Sequence, residues 1–146
     1  MSHKGKYFPR NPQKYIGNPT NIVFRSAWER TFMEYCDNRP EILRWSSEEM
    51  HIPYYLVTDG KWHRYFPDFL LVSKQNGKEQ TWLVEIKPLS QTRHPGTKRY
   101  ASARRQLKEE QEYIKNQAKW SAADAYCNAK GWRFVILTEK NLYPKL

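Results

Sequence analysis

Three charged residues lie inside two apolar runs of the chain, where charge needs an explanation. Asp68 lies in YFPDFLLV, and Glu85 and Lys87 lie in WLVEIKP. Aromatic and β-branched residues fill most of both runs, which is typical of strands buried on both faces. Buried charge is costly unless it is paired. We therefore take these three residues as the candidates for a reactive site.

The turn between the two runs predicts how they meet. Asn76-Gly77 is the strongest hairpin signal in the chain. Counting back equally on both sides of a two-residue turn places Asp68 directly opposite Glu85, with Cβ atoms roughly 5 Å apart. Lys87 lies two residues further along the strand and shares their face of the sheet.

Two facing carboxylates repel each other, and a cation between them relieves the repulsion. Carboxylate oxygens at this spacing suit Mg²⁺ or Mn²⁺, which would keep several waters. Such a metal makes water a better nucleophile, and the Lys87 ammonium can balance charge on a phosphate. The three residues thus predict a hydrolytic site for phosphodiester bonds. In the alternative, Glu85 and Lys87 form an exposed ion pair and Asp68 merely follows Pro67 in a turn.

A helix and three strands should position these residues. The helix should begin at Ser26, because SAWE has the form of a capping box, and should run to about Asn38. The strands should follow in HIPYYLV, in WHRYFPDFLLV and, after the Asn76-Gly77 turn, in EQTWLVEIKP.

The second half of the chain is mainly helical by its periodicity. Helices should extend from about Lys98 to Lys130, with a break near Gln117 and a C-cap at Gly131. WRFVILT then predicts a last buried strand. The order helix, three strands, helices, strand indicates an α/β domain with a mixed central sheet flanked by helices.

Length and composition indicate one domain with a polyanionic partner. The 146 residues suffice for a single domain over residues 21–146, and residues 1–20, rich in Pro and basic residues, predict an extended arm. The net charge of +10 favours nucleic acid as partner. No apolar run predicts a membrane helix or signal peptide. Cys36 and Cys127 lack zinc-site spacing and are expected to be reduced core thiols.

A run of basic residues follows the proposed site closely. It contains no acid and places a positive surface for DNA phosphates beside Lys87. Its members are Arg93, Lys98, Arg99, Arg104, Arg105 and Lys108.

The chain resembles a known group of nucleases. Pro67-Asp68 followed by Glu85-Ile86-Lys87 matches the motif of the PD-(D/E)XK nuclease superfamily, whose restriction-endonuclease-like core has the element order predicted above. A narrower similarity, to the head completion nucleases of T4-like tailed phages and to the nuclease subunit of certain transposases, rests on four stretches: KYIGNPTNIVFRSAWERTFMEYCD, RYFPDFLL, VEIKP and GWRFVILTE.

The resemblance implies a Mg²⁺-dependent DNA endonuclease that acts after genome packaging and before tail joining. It implies the host cytoplasm during virion assembly, or the virion, as location and phage head or portal proteins as candidate partners. Asp68, Glu85 and the Ile86 backbone carbonyl would be metal ligands, and Lys87 the catalytic lysine. Glu29 matches an acidic residue that often reaches the metal or its waters, although its place three residues after Ser26 also explains it as a capping residue.

Two other functions remain open at this point. The chain could be a non-catalytic virion protein that binds DNA ends and seals the portal. It could also be the nuclease subunit of a transposase or restriction-type system, and a partner subunit would then supply its specificity.

Overall fold

The computed structural model describes residues 4–97 and 102–142 and contains eight strands and three α-helices in these ranges. The strands are β1 (Gly5–Tyr7), β2 (Ile22–Phe24), β3 (Ile42–Ser47), β4 (Ile52–Leu56), β5 (Lys61–Tyr65), β6 (Phe69–Gln75), β7 (Lys78–Ile86) and β8 (Arg133–Leu137). The helices are α1 (Ala27–Asn38), α2 (Ala103–Lys130) and α3 (Glu139–Leu142).

The central sheet has the strand order β3-β6-β7-β8. The first three strands are antiparallel, and β8 lies parallel to β7, as expected for a strand that follows a helical crossover. One face packs its apolar residues with those of α1, and the other packs with α2 and the β4–β5 ribbon. The predicted α/β class with a mixed, helix-flanked sheet is confirmed.

The hairpin that carries the candidate site has the predicted register. Asn76 and Gly77 both have positive φ, as a type I′ turn requires. Pairing runs from Gln75 opposite Lys78 to Phe69 opposite Val84. Side chains alternate across β7, so Leu83 and Glu85 face α2 while Val84 and Ile86 face α1.

The prediction of one strand through WHRYFPDFLLV is wrong, because the chain leaves the ladder at residues 66–68. Pro67 has no N–H to donate and therefore ends the pairing. β5 then pairs with β4 in a separate two-stranded ribbon, whereas β6 pairs with β3. The order helix, three strands, helix, strand holds for the central sheet, but its first strand is β3 rather than the predicted HIPYYLV segment.

α2 is one continuous helix, so the predicted break near Gln117 is wrong. Its buried residues, Asn116, Trp120, Ala123 and Cys127, keep a spacing of four, three and four that lines one face across the expected break. The predicted helix start at Lys98 lies outside the described residues. The helix ends at Gly131, whose φ of 73° makes it the predicted C-cap.

α1 has the predicted bounds and anchors the N-terminal segment. The Ser26 hydroxyl caps the helix by accepting a hydrogen bond from the Glu29 N–H. Near its end, the fully buried Asp37 accepts hydrogen bonds from the Tyr7 hydroxyl and the Arg10 N–H, both at 2.7 Å. Residues of the proposed arm therefore lie against the body of the protein.

Two further expectations concern thiols and membranes. Cys36 and Cys127 are buried and unbridged, which confirms them as core thiols. None of the described helices is long and apolar enough to cross a membrane.

Candidate active site

Asp68 and Glu85 come together where β6 begins and β7 ends. Asp68 immediately precedes β6, and its Oδ2 accepts a hydrogen bond of 2.7 Å from the N–H of Ile86, the last residue of β7. The Asp68 carbonyl accepts a hydrogen bond from the Glu48 N–H at 3.1 Å. The backbone on both sides thus fixes the position of Asp68 beside the end of β7.

Glu85 is almost completely buried, with 5% of its surface exposed. Its Oε1 accepts a hydrogen bond of 2.8 Å from the Tyr65 hydroxyl. The Lys87 Nζ lies 3.9 Å from its Oε2 and is itself only partly exposed. The alternative of an exposed Glu85–Lys87 ion pair is therefore wrong.

Asp68 and Glu85 form an acidic pair, and burial and mutual repulsion oppose its ionisation. Burial, and then the charge of Glu85, raises the pKa of Asp68 well above its ordinary value. Burial also raises the pKa of Glu85, although the Tyr65 hydrogen bond and the charges of Lys87 and Lys119 lower it in part. A cation placed between the two carboxylates would remove this penalty.

Glu29 belongs to the helix cap and also to the electrostatic surroundings of the site. Its Oε1 accepts a hydrogen bond from the Arg25 N–H at 3.2 Å. Burial raises its pKa, and the charges of Glu48 and Glu85 add to this effect. The Ser26 hydroxyl caps the Glu29 N–H as predicted, but the Glu29 carboxylate accepts from Arg25 rather than from the Ser26 N–H of a capping box. The catalytic use of Glu29 stays a prediction.

Four residues near the site were not predicted from the sequence: Arg25, Glu48, Tyr65 and Lys119. Glu48 lies in a left-handed conformation (φ 52°), and its carboxylate pairs with the Arg25 guanidinium. It follows β3, whose last residue, Ser47, pairs with Phe69, so recognising β3 would have placed it beside Asp68. Tyr65 and Lys119 come from β5 and α2, which no short-range sequence pattern connects to the pair.

The predicted DNA-binding residues lie on two neighbouring segments. Arg93 is exposed just after the 3₁₀ turn Leu89–Thr92. Arg104 and Arg105 are exposed in the first turn of α2, and Arg105 pairs with Glu109 at 3.2 Å. Lys98 and Arg99 lie outside the described residues.

The donor set at the site fits a divalent cation. In residues 4–97 and 102–142 no group of three or more His, Cys, Asp and Glu side chains is arranged to hold a metal ion. The two carboxylates of Asp68 and Glu85, with the Ile86 carbonyl and water, are the hard oxygen ligands that Mg²⁺ takes in proteins, since it keeps several waters. Burial raises the pKa of both carboxyl groups even with Lys87 close by, and a bound cation would oppose that rise.

Comparison with known proteins gives two matches that agree with this geometry. A family model described as "TnsA-like endonuclease N terminal" matches residues 39–139, which include Asp68, Glu85 and Lys87. The chain is also 37% identical over 145 residues to the head completion nuclease of Enterobacteria phage T4, covering 97% of this chain and 95% of that protein. The chain therefore belongs to the TnsA-like endonuclease family.

Proposed function

We propose that this protein is a Mg²⁺-dependent DNA endonuclease that acts in phage head completion. The observation that carries the proposal is the half-buried Asp68 beside the buried Glu85, with Lys87 next to them, in a chain of an endonuclease family. Similarity to the T4 head completion nuclease over nearly the whole of both chains supports the phage role. Head or portal proteins would then be its partners, and the host cytoplasm during assembly its location.

In this proposal Asp68, Glu85 and the Ile86 carbonyl hold Mg²⁺ or Mn²⁺. The bound cation would lower the pKa of water and offset negative charge on the scissile phosphate. The chain's own hydrogen bonds hold the carboxylates ready: the Ile86 N–H orients Asp68, and the Tyr65 hydroxyl orients Glu85. Burial raises the pKa of Tyr65, so this hydroxyl stays protonated and donates.

Lys87 has a separate task in the proposed reaction. Its ammonium lies at the mouth of the acidic pair, 3.9 Å from Glu85 Oε2 and partly exposed. From this position it can donate to phosphate oxygens as negative charge builds up on them, an interaction that strengthens toward the transition state. Glu29 would accept a hydrogen bond from water near the pair while keeping its place in the helix cap.

The basic residues that follow Lys87 would hold the DNA backbone. We propose phosphate contacts for Arg93, Lys98, Arg99, Arg104 and Arg105. Contacts of this kind fix the position of DNA without reading its sequence, so we expect little sequence preference.

Nicking of supercoiled plasmid with and without Mg²⁺ tests the proposal. The wild-type protein should nick only with the metal, and Asp68→Asn should lose at least 10²-fold in rate, on the order found when a catalytic electrostatic contact is removed. Glu79→Gln is the matched control, because Glu79 is an exposed carboxylate at the far end of the same hairpin. Equal rates in wild type and Asp68→Asn, or no cleavage by the folded wild type, would refute the enzyme proposal and favour a non-catalytic DNA-end-binding protein.

A nuclease subunit of a transposase is the second candidate, because the family model bears the name of TnsA-like endonucleases. The two roles differ in their genetic surroundings. Neighbouring genes for capsid and tail proteins would support head completion, and neighbouring transposase genes would overturn it.

A further inference from the structure

An open groove runs between the β4–β5 ribbon and α2 and has a volume of about 600 Å³. We call it the ribbon groove. Its lining combines aromatic and cationic side chains, contributed by Trp62, Arg64 and Phe66 from the ribbon side and by Lys115 and Lys119 from α2. None of these residues belongs to the basic run proposed above for phosphate binding.

The aromatic side chains of the ribbon groove face solvent to an unusual degree. Trp62 is 70% exposed and Phe66 is 42% exposed. The Trp62 ring is braced edge-on by Tyr55, with centroids 5.5 Å apart, and the Arg64 guanidinium lies 5.9 Å from the centre of the Phe66 ring. Exposed aromatic faces alternating with cations are the composition of surfaces that bind single-stranded nucleic acid.

The cations of the ribbon groove reach toward the acidic pair. The Lys119 Nζ lies 5.7 Å from the centre of the Tyr65 ring, and the Tyr65 hydroxyl binds Glu85. Phe66 lies two residues before Asp68 in the chain. One end of the groove therefore adjoins the proposed catalytic centre through both the ribbon and α2.

We infer that the ribbon groove binds a single strand of DNA that leads to Asp68 and Glu85. Its bases stack on Trp62 and Phe66, and its phosphates contact Arg64, Lys115 and Lys119. Duplex DNA presents only base edges in its grooves, whereas an unpaired strand offers the ring faces that an exposed Trp can stack on. This inference rests on the proposed function, since it specifies the form of DNA that the nuclease engages.

Binding without cleavage tests the ribbon groove independently of catalysis. The probe is a fluorescein-labelled oligothymidine of about 12 nucleotides, in EDTA, followed by fluorescence anisotropy. Trp62→Ala should weaken its binding roughly tenfold, because loss of one base–aromatic stack is of this order. Phe8→Ala is the matched control, since Phe8 is an equally exposed aromatic residue in the N-terminal segment.

A second variant pair tests the cationic side of the ribbon groove. Lys115→Gln should lower the slope of log affinity against log salt by about 0.7, the value for one phosphate contact with a single strand. Lys78→Gln removes the same charge from the β6–β7 turn, at the opposite end of the hairpin from the acidic pair, and should leave the slope unchanged. Unchanged melting temperatures would show that all four variants fold.

Three results would overturn the inference. Trp62→Ala could bind the oligonucleotide as tightly as Phe8→Ala does, or it could weaken binding of a blunt duplex by the same factor. It could also keep its DNA affinity and lose affinity for purified phage heads, which would make the ribbon groove a protein-docking surface. Trp62-dependent binding by a wild-type protein that cuts nothing in Mg²⁺ would support the groove and refute the nuclease proposal.

Discussion

At the scale of single residues, the acidic pair stores unfavourable charge in the folded protein. Burial and the nearby Glu85 carboxylate make an ionised Asp68 costly. Asp68→Asn keeps an oxygen for the Ile86 N–H and removes the charge. In EDTA at neutral pH we therefore expect it to raise the melting temperature by a few degrees, about the effect of 1 kcal/mol in a chain of this length. Calorimetry beside Glu79→Gln checks this, and a lower melting temperature for Asp68→Asn would contradict it.

The same repulsion predicts that divalent metal stabilises the fold. If Mg²⁺ binds the native Asp68–Glu85 pair, as proposed, and not the unfolded chain, its addition should raise the melting temperature in proportion to the logarithm of its concentration once the site is saturated. Glu85→Gln should lose most of this shift, whereas Glu79→Gln should keep it. If Glu85→Gln retains the full shift, the metal binds elsewhere.

Residues within one hairpin could be predicted from the sequence, and those that arrive from distant elements could not. Asn76-Gly77 defined the turn, and counting from it placed Asp68, Glu85 and Lys87 together. Tyr65 and Lys119 lie near Glu85 because the strand pairing is interrupted at Pro67 and because α2 packs across the sheet. Those contacts depend on tertiary packing, which local periodicity does not encode.

At the scale of elements, local sequence signals predicted the turns and helix caps correctly but did not predict which strands pair. The Ser26 cap and the Gly131 C-cap lie where predicted. β3 escaped prediction because Arg44 and a run of polar residues interrupt its apolar pattern. The break at Pro67 has a clear local reason, since proline cannot donate to a ladder, yet the aromatic residues around it resemble one continuous strand.

Asp37 joins the N-terminal segment to α1. Its replacement should show how much this junction contributes to the free energy of unfolding. Burial raises its pKa, but hydrogen bonds from Tyr7, Arg10 and Asn11 outweigh burial, so the pKa lies below its ordinary value. Its stabilisation is therefore present above about pH 4 and is lost as pH falls through the lowered pKa. Asp37→Ala should lower the free energy of unfolding by about 3 kcal/mol at neutral pH.

Urea unfolding at pH 7 and at pH 3 measures the contribution of Asp37. The difference in free energy of unfolding between wild type and Asp37→Ala should be smaller at the lower pH, where the native carboxylate takes up a proton. Glu34→Ala is the control, because Glu34 is an exposed acid one turn earlier on the same helix. A cost below about 1 kcal/mol, within the range of surface substitutions and weak contacts, would contradict this account.

At the scale of the whole molecule, the net charge of +10 should make DNA binding strongly dependent on salt. Arg104→Gln/Arg105→Gln should weaken duplex binding and reduce the salt slope by about 2, one unit for each phosphate contact. At low salt and high enzyme concentration this variant should still cut, because the proposed catalytic pair Asp68 and Glu85 is intact. Filter binding across a salt series checks the slope, and an unchanged slope would place the phosphate contacts elsewhere.

Cleavage by Lys87→Met, measured at matched DNA occupancy, tests the central claim most directly. Methionine keeps the aliphatic stem and removes only the ammonium, so the protein should fold and should bind DNA as tightly as the wild type. Its cleavage rate in Mg²⁺ should fall by on the order of 10²-fold or more, because the donor to the developing charge is gone. A Lys87→Met protein that cuts bound DNA at the wild-type rate would contradict the assignment of Asp68, Glu85 and Lys87 as one catalytic centre.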